Sequence, residues 1–289
     1  MKTCTILQCG PSESDTNPLV QSMAEGIATS EGWQIKRLNG TYFTDADAAG
    51  DLAVVCGAKR QSKVILDAFR KANIPVIILE LGYLNRATTY RSETAHYQCS
   101  LNDLCWMPPA PCPSDRFEKL GLKLRKRRAK KGSHILILGQ VPGDGQHHMD
   151  ADALTTWYAD AVRQIRERTE LPIVFRAHPK AASFGLCPDA DSQQDPAKVT
   201  LKTALRNAVT CVTYNSTAGT EAMLDAIPVI CSQVAMYAPW ADSDFAHIEA
   251  PNTGDREDYF SRLAYAQWTH AELQSGEAFA FLRQFLEDN

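Results

Sequence analysis

The stretch VTCVTYNSTAGTEAMLDAIPVIC, residues 209–231, decides the fold class of this chain. An apolar run stops at small polar residues, a helix-forming run follows, and a second apolar run begins behind a proline. Strand, helix and strand in this order form a βαβ unit, which places two parallel strands in one sheet. The predicted elements are a strand at 209–213, a helix at 217–225 and a strand at 228–231.

The same alternation along the rest of the chain predicts an α/β protein. Further strands are predicted at 3–8, 51–56, 75–79, 134–138 and 172–175. Further helices are predicted at 62–72, 150–167, 255–269 and 271–287. The last helix has one apolar face, made by Ala278, Phe281, Leu282 and Phe285. A proline-rich loop at 101–113 precedes the domain boundary, which gives predicted domains 1–128 and 129–289.

The composition is that of a globular protein with a sizeable core, since 44% of the 289 residues are hydrophobic. No apolar run reaches the roughly 18 residues that span a bilayer, and the opening residues are too polar for a signal peptide. A cytoplasmic protein is therefore expected, in the host cytoplasm if the gene is viral. The nine cysteines contain no C-x-x-C, so neither a disulfide framework nor a thiolate zinc site is expected.

The basic segment 116–131 carries nine lysines and arginines against one acid, in a chain of net charge −4. Such a run attracts the phosphates of nucleic acid or an anionic surface. Its candidate DNA contacts are Arg125, Lys126, Arg127 and Arg128. A solvated interdomain linker is an equally good interpretation, because no aromatic residues for base stacking alternate with the charges at 123–131.

A phosphate ligand would need another kind of binding element here, because the sequence contains neither the glycine-rich loop of NTPases nor that of dinucleotide dehydrogenases. The helix start after Asn215 is one candidate. Ser216 and Thr217 offer hydroxyls beside unpaired backbone N–H groups, Gly219 would permit close approach of a ligand, and Glu221 can accept hydrogen bonds from a ribose diol. An ordinary capping box of Thr217 with Thr220 or Glu221 explains the same residues at least as well.

A second candidate is FRAHPK, residues 175–180, where a buried strand ends in Arg176, His178 and Lys180. Arginine and lysine pair with phosphate oxygens, and the histidine can donate to a phosphate or stand against a leaving group. The alternative is that His178 only caps the strand end.

The loop GQVPGDGQ, residues 139–146, follows the first strand of the second half, where α/β folds place ligand loops. Its candidate contacts are Gln140, Gly143 and Asp144. The nearby His147, His148, Asp150 and Asp152 are expected to form a solvated helix start, since adjacent histidines do not easily face one ion. No metal site is expected.

Glu80 follows the apolar run of PVIILELGYLNR, residues 75–86, at the carboxyl end of a predicted strand. A carboxylate there can act as base towards an acceptor hydroxyl. An ion pair of Glu80 with Arg86 or Arg91 is an equally good structural explanation.

The segments ELGYLNR, GQVPGD, FRAHPK and YNSTAGTEAMLDAIPVI, in this order, give the chain a resemblance to GT-B glycosyltransferases. It is most similar to the compact phage-encoded and capsule-polysaccharide, Kdo-transferase-like members. The resemblance implies two Rossmann-like domains with parallel sheets facing a central cleft, a nucleotide on the C-terminal domain, and no metal requirement. It also implies that Ser216, Thr217 and His178 hold the donor phosphates, and that Glu221 binds the ribose or an equivalent sugar-nucleotide hydroxyl.

The predicted function is transfer of a sugar from a nucleotide sugar, by default a UDP-sugar, to an acceptor hydroxyl, with Glu80 and His178 as catalytic residues. The acceptor is a hydroxymethylated pyrimidine in phage DNA or else a glycan. The predicted donor-binding residues are Gln140, Gly143, Asp144, Arg176, His178, Lys180, Asn215, Ser216, Thr217 and Glu221. Two alternatives stay open: a sugar-nucleotide epimerase of the same fold, and a non-enzymatic nucleic-acid-binding protein that uses the basic segment.

Overall fold

The computed structural model describes residues 1–8, 16–126, 132–186 and 188–286, and the chain divides into two compact units. Unit 1 contains residues 1–112 and 262–289, and unit 2 contains residues 113–261. The observed division differs from the predicted domains 1–128 and 129–289. The physical reason is the C-terminal segment, whose apolar side chains complete the core of unit 1.

The regular elements are numbered along the chain. The described strands are β1 (Lys2–Gln8), β2 (Trp33–Asn39), β3 (Leu52–Cys56), β4 (Val76–Leu81), β5 (Tyr97–Leu101), β6 (His134–Leu138), β7 (Ile173–Arg176), β8 (Ser192–Gln194), β9 (Ala208–Thr213), β10 (Val229–Cys231) and β11 (Gln267–Trp268). The described helices are α1 (Pro18–Ala28), α2 (Gln61–Lys71), α3 (Asp115–Lys119), α4 (Ala151–Arg166), α5 (Leu201–Leu205), α6 (Ala218–Leu224), α7 (Arg256–Tyr265), α8 (His270–Gln274) and α9 (Glu277–Leu282). Short 3-10 turns lie at Gly40–Tyr42, Asp45–Asp47, Ala182–Phe184, Ala238–Trp240, Phe245–His247 and Arg283–Phe285.

Among the described residues of unit 1, six strands form one sheet in the order β11-β5-β4-β3-β1-β2. β1 to β4 are parallel, and β5 pairs antiparallel with both β4 and β11. The sheet is buried on both faces, since Ile77 and Leu79 of β4 pack on one side while Val76 and Ile78 pack on the other. This arrangement confirms the predicted parallel strands, which are typically buried on both faces.

The C-terminal segment differs from the two long helices predicted at 255–269 and 271–287. The first helix ends at Tyr265, the short strand β11 joins the sheet edge, and α8 and α9 follow. Gln267 explains the interruption, because its side-chain Oε1 accepts hydrogen bonds from the backbone N of Tyr83 (3.0 Å) and Leu84 (2.9 Å). The predicted apolar face of the last helix is confirmed, since Ala278, Phe281, Leu282 and Phe285 all pack on the unit 1 core.

Among the described residues of unit 2, five parallel strands form a sheet in the order β10-β9-β6-β7-β8. Ile137, Phe175 and Val212 on three adjacent strands pack against Tyr158 and Val162 of α4. The α/β class and two Rossmann-like units, each with a largely parallel sheet, are therefore confirmed. The edge strand β8 was not predicted, because its three residues are polar and largely exposed.

Two sequence expectations concern what surrounds the fold. No helix within the described residues has the length and apolar character needed to cross a membrane. The cysteines at the described positions are free thiols, and several are buried. Burial raises the pKa of Cys4 to about 12, so this thiol is protonated and packs as a small apolar side chain.

The packing of α9 gives a first prediction. Phe279 is fully buried in the unit 1 core, with its ring 5.3 Å from that of Trp33. We expect Phe279→Ala to lower the free energy of unfolding by about 3–5 kcal/mol, because the cavity cannot refill. Thermal denaturation of the full chain measures the effect. Phe184→Ala is the matched control, since this ring is 48% exposed. Equal melting temperatures for the two variants would contradict the assignment of the C-terminal segment to unit 1.

Candidate functional site in unit 2

Adjacent strands of unit 2 end at the same edge of its sheet. β9, β6 and β7 are neighbours and parallel, so their carboxyl ends lie side by side. The predicted donor-binding residues stand at or after these ends: Gln140, Gly143 and Asp144 follow β6, Arg176 ends β7, His178 and Lys180 follow it, and Asn215, Ser216, Thr217 and Glu221 follow β9.

A buried pair of amides joins two of these strand ends. Gln140 Nε2 donates to Asn215 Oδ1 at 2.7 Å, and Gln140 Oε1 accepts from Asn215 N at 3.0 Å. Both side chains are buried. Two neutral side chains thus satisfy each other where a charge would be costly, and they fix the start of the loop that carries Ser216.

The amide pair is held in place from both sides. Gln140 N donates to the hydroxyl of Tyr158 on α4 at 2.8 Å, and Asn215 Nδ2 donates to Gln146 O at 3.0 Å. Burial raises the pKa of Tyr158 to about 12, so this hydroxyl remains neutral at physiological pH. Tyr158 and Gln146 were not predicted as site residues. Tyr158 could have been noticed because it shares the apolar face of α4 with Leu154 and Val162.

Arg176 ends β7 as a buried cation, with 8% of its surface exposed. Its Nη2 donates to Val199 O at 3.1 Å, and its buried Nε has no hydrogen-bond partner in the described part of the chain. Burial lowers the pKa of Arg176, and the charge of Glu221 acts in the opposite direction. The two residues therefore lie close enough to interact, although the sequence places them 45 positions apart.

His178 and Lys180 form a turn after β7. Lys180 N donates to His178 Nδ1 at 3.0 Å, and Ala181 N donates to His178 O at 2.9 Å. Because Nδ1 accepts, the ring proton of neutral His178 is on Nε2. The strand-end cap and the donor function are compatible in this geometry. Lys180 is exposed.

The turn before α6 is not an ordinary capping box. The side chain of Thr217 makes no cap hydrogen bond, while Ser216 Oγ accepts a long one from Ala218 N at 3.3 Å. α6 has seven residues, so its dipole is short. Gly219 does not serve close approach of a ligand as expected: a side chain there would collide with the hydroxyl of Tyr237, which donates to Ser216 O at 2.8 Å.

In the glycine-rich loop after β6, Gly139 packs against β7, while Gly143 and Asp144 make hydrogen bonds close to the loop. Gly139 lies tightly against β7, since a Cβ there would stand 3.1 Å from Arg176 O. Gly143 is exposed with a φ of +69°, and its N donates to Met149 O at 2.6 Å. Asp144 accepts from Gln146 N at 3.2 Å and organises the loop. Asp150 caps α4 by accepting from Ala153 N at 2.8 Å, as expected for a helix start.

Glu80 lies in unit 1, at the carboxyl end of β4. Its Oε1 accepts from Leu81 N at 2.8 Å and from the hydroxyl of Tyr90. The alternative ion pairs with Arg86 and Arg91 do not form among the described residues. Tyr90 was missed in the sequence because it lies in a segment without helix or strand periodicity.

The basic segment is partly used inside unit 2. Arg125 Nε lies 3.0 Å from Asp225 Oδ1, and Arg116 is buried. Lys126 is exposed. Arg127 and Arg128, the other two candidate DNA contacts, lie outside the described residues.

No family model and no curated protein matches the sequence. Among solved structures, the fold is similar to that of the KpsC beta Kdo 2,4 transferase of Thermosulfurimonas dismutans, with a TM-score of 0.55 and 13% identity over 89% of each chain. The KpsC beta Kdo 2,7 transferase of the same organism gives a TM-score of 0.48 and 14% identity over 97% of this chain and 100% of that chain. A UDP-GlcNAc 2-epimerase of Methanocaldococcus jannaschii gives a TM-score of 0.31 and 13% identity over 99% of this chain and 100% of that chain. The first likeness shows a GT-B-like fold, as the sequence resemblance implied, and the other two are too distant to add to it.

The amide pair gives a second prediction. We expect Asn215→Leu to lower the free energy of unfolding by about 1–3 kcal/mol, because Nε2 of Gln140 loses its buried acceptor. A double-mutant cycle with Gln140→Leu measures the coupling between the two side chains. Asn207→Leu, at an exposed position, is the control. Strictly additive effects of the two substitutions would show that the pair does not act as a unit.

Proposed function

We propose that the chain is a glycosyltransferase, with the nucleotide of its sugar donor bound at the carboxyl edge of the unit 2 sheet. The GT-B-like fold supports this class of reaction, and the edge where β9, β6 and β7 end is where open α/β sheets bind ligands. A UDP-sugar is the default donor. The proposal requires no metal ion and no further cofactor.

The observation that carries the proposal is the buried guanidinium of Arg176. A buried charge is costly unless it is paired and hydrogen-bonded. Arg176 makes one hydrogen bond to a neutral carbonyl, and its Nε has no partner among the described residues. A donor phosphate would supply both the negative charge and the acceptor oxygens that this guanidinium requires.

The neighbouring residues fit the other parts of a nucleotide sugar. His178 can donate from Nε2 to a phosphate oxygen, and the exposed Lys180 can add a second positive charge. Ser216 can donate its hydroxyl proton to a phosphate, since its Oγ accepts from Ala218 N and donates to no group among the described residues. Glu221, whose negative charge interacts with Arg176, is assigned to a ribose hydroxyl.

The remaining predicted donor residues have supporting roles in this proposal. The amides of Gln140 and Asn215 bond to each other, so they shape the floor of the site rather than contact the phosphates directly. Asp144 organises the loop after β6, in which Gly143 leaves the backbone uncovered. Thr217, at the start of α6, is assigned to the phosphates with Ser216.

The chemistry follows from these roles. The acceptor oxygen forms a bond to the anomeric carbon while the bond from that carbon to the phosphate oxygen breaks, and the electron pair leaves with the nucleotide. Arg176, His178 and Lys180 stabilise the negative charge that develops on the leaving phosphate, which is the main catalytic contribution. Glu80 takes the proton of the acceptor hydroxyl.

The proposed acceptor is a hydroxyl of a hydroxymethylated pyrimidine in DNA or of a glycan. A DNA acceptor would use the charges of the basic segment, of which Arg125 is already paired with Asp225. The salt dependence of turnover separates the two acceptors, because only phosphate-backbone contacts release counterions in proportion to their number.

A third prediction tests the donor site. A ligand present at 100 times its dissociation constant stabilises the folded chain by about 2.7 kcal/mol. We expect one family among UDP, GDP, CMP and their sugars to raise the melting temperature of the full chain, and Arg176→Met or His178→Ala to remove that increase. Differential scanning fluorimetry measures it.

The matched control is Arg206→Met, which removes an exposed guanidinium just before β9, at the opposite end of the strand. This variant should keep the full thermal shift. If no nucleotide shifts the melting temperature of the unmodified chain, the donor site is refuted and the nucleic-acid-binding alternative is favoured.

A fourth prediction tests Glu80. We expect Glu80→Gln to lower kcat by about 10²- to 10⁴-fold without changing nucleotide binding, because only the base is removed. The rate is measured as nucleotide released from the sugar nucleotide that binds. Glu93→Gln, an exposed acid of the same unit, should retain full turnover. Unchanged turnover of a folded Glu80→Gln variant would remove Glu80 from the mechanism.

A further inference from the structure

Glu80 belongs to a polar cluster at the carboxyl ends of β3 and β4 that the sequence did not reveal. Both donors that reach this carboxylate, Leu81 N at 2.8 Å and the hydroxyl of Tyr90, contact the same oxygen, Oε1. Oε1 is therefore fixed by two hydrogen bonds, one of them from a side chain 10 residues later in the chain.

The second oxygen of Glu80 has different surroundings. Oε2 accepts no hydrogen bond from the described residues, and it faces Gly57, the residue after β3. A Cβ on Gly57 would lie 3.7 Å from Glu80 Oε2 and 3.9 Å from Ser62 Oγ. Gly57 has a φ of +77°, a conformation that favours glycine, so this residue itself places no side chain beside Oε2.

Tyr90 lies in a turn whose main chain is held by hydrogen bonds to buried side chains from elsewhere in unit 1. The hydroxyl of Tyr97 on β5 lies 3.1 Å from Thr89 O and accepts from Ser92 N at 2.9 Å. His270 Nε2 lies 3.0 Å from Tyr90 O. Tyr97 and His270 are both buried, and they pack edge to face at 5.0 Å.

The His270 contact has a defined direction. Because Tyr90 O is a carbonyl and can only accept, Nε2 of His270 carries a proton. The other ring nitrogen, Nδ1, lies 2.7 Å from Ser22 Oγ on α1. Helices α1 and α8 therefore both help to hold the main chain of Tyr90 at one place.

The hydroxyl of Tyr90 remains a donor over the whole working pH range. Burial, followed by the neighbouring Cys56 and Glu80, raises the pKa of Tyr90 well above its usual value. A neutral phenol that donates to a carboxylate forms a charge-assisted hydrogen bond, which is among the stronger ones in proteins.

We propose that Tyr90 is a positioning residue for Glu80: it holds Oε1 so that Oε2 points into the space over Gly57 and takes the proton of the acceptor hydroxyl. This inference rests on the proposed function, in which Glu80 is the base. The proton of the acceptor hydroxyl ends on Glu80 Oε2, and Tyr90 keeps its own hydroxyl proton. His270 and Tyr97 act one step further away, by fixing the turn.

The first test needs no substrate. Crystal structures of the full chain and of Tyr90→Phe are compared at the Glu80 side chain. We expect the carboxylate in the variant to leave the position over Gly57 or to occupy more than one rotamer, because one of the two bonds to Oε1 is gone. An unchanged, singly occupied Glu80 side chain in Tyr90→Phe overturns the proposal.

The second test is kinetic and uses nucleotide release from the sugar nucleotide that gives the largest thermal shift, with water as acceptor. We expect Tyr90→Phe to lower kcat by about 10- to 100-fold with KM for the donor unchanged. In the Glu80→Gln background the same substitution should have no further effect, because Tyr90 acts through Glu80. A full multiplicative loss in that background overturns the proposal.

Tyr83→Phe is the matched control for stability. It removes a buried tyrosine hydroxyl in the same unit, which donates to Leu104 O at 3.1 Å, and it should keep the kcat of the unmodified chain. Equal loss of kcat in Tyr83→Phe would assign the effect to general destabilisation. If no sugar nucleotide binds at all, the proposed function fails, while the crystal comparison still decides whether Tyr90 positions Glu80.

Discussion

The hydrogen-bonded amides of Gln140 and Asn215 are the interaction on which the candidate donor site depends. They connect the residues after β6 with those after β9. These two strands are neighbours in the sheet although β7 and β8 lie between them along the chain. A neutral pair suits this place, because each amide supplies a donor and an acceptor and no charge is buried. Together with the hydrogen bond from Tyr237 to Ser216 O, this pair holds the turn between β9 and α6.

The neutral pair also determines where positive charge is available. Gln140 and Asn215 satisfy each other, so the charge at this edge comes from the next strand, where Arg176 is buried at the end of β7. Glu221 partly balances that charge. An arginine that is buried and incompletely hydrogen-bonded is an expected feature of an anion site, and an unexpected one in a structural core.

Unit 1 depends on a different constraint, the return of the chain after unit 2. β11 extends the sheet, and Gln267 supplies the acceptor for the backbone N–H groups that follow β4. His270, three residues after Gln267, contacts the main chain of the turn that carries Tyr90. The acid at the end of β4 is therefore supported by residues about 180 positions later in the chain, as the sequence separation of 184 between Tyr83 and Gln267 illustrates.

The amino-acid sequence by itself determined the α/β class, the parallel strands, the resemblance to GT-B enzymes and the residues at the strand ends. Local apolar runs and turn residues carry this information, since they record which segments must be buried. β2 and β8 escaped prediction because their residues are only partly buried or exposed. β11 is buried but has only two residues, too few for a strand pattern. The tertiary structure decided the domain boundary, the role of Gly219 as a contact for Tyr237, the amide pair and the Tyr90–Glu80 contact. Each of these joins residues distant in sequence, and such pairings are set by closure of the core rather than by any local pattern.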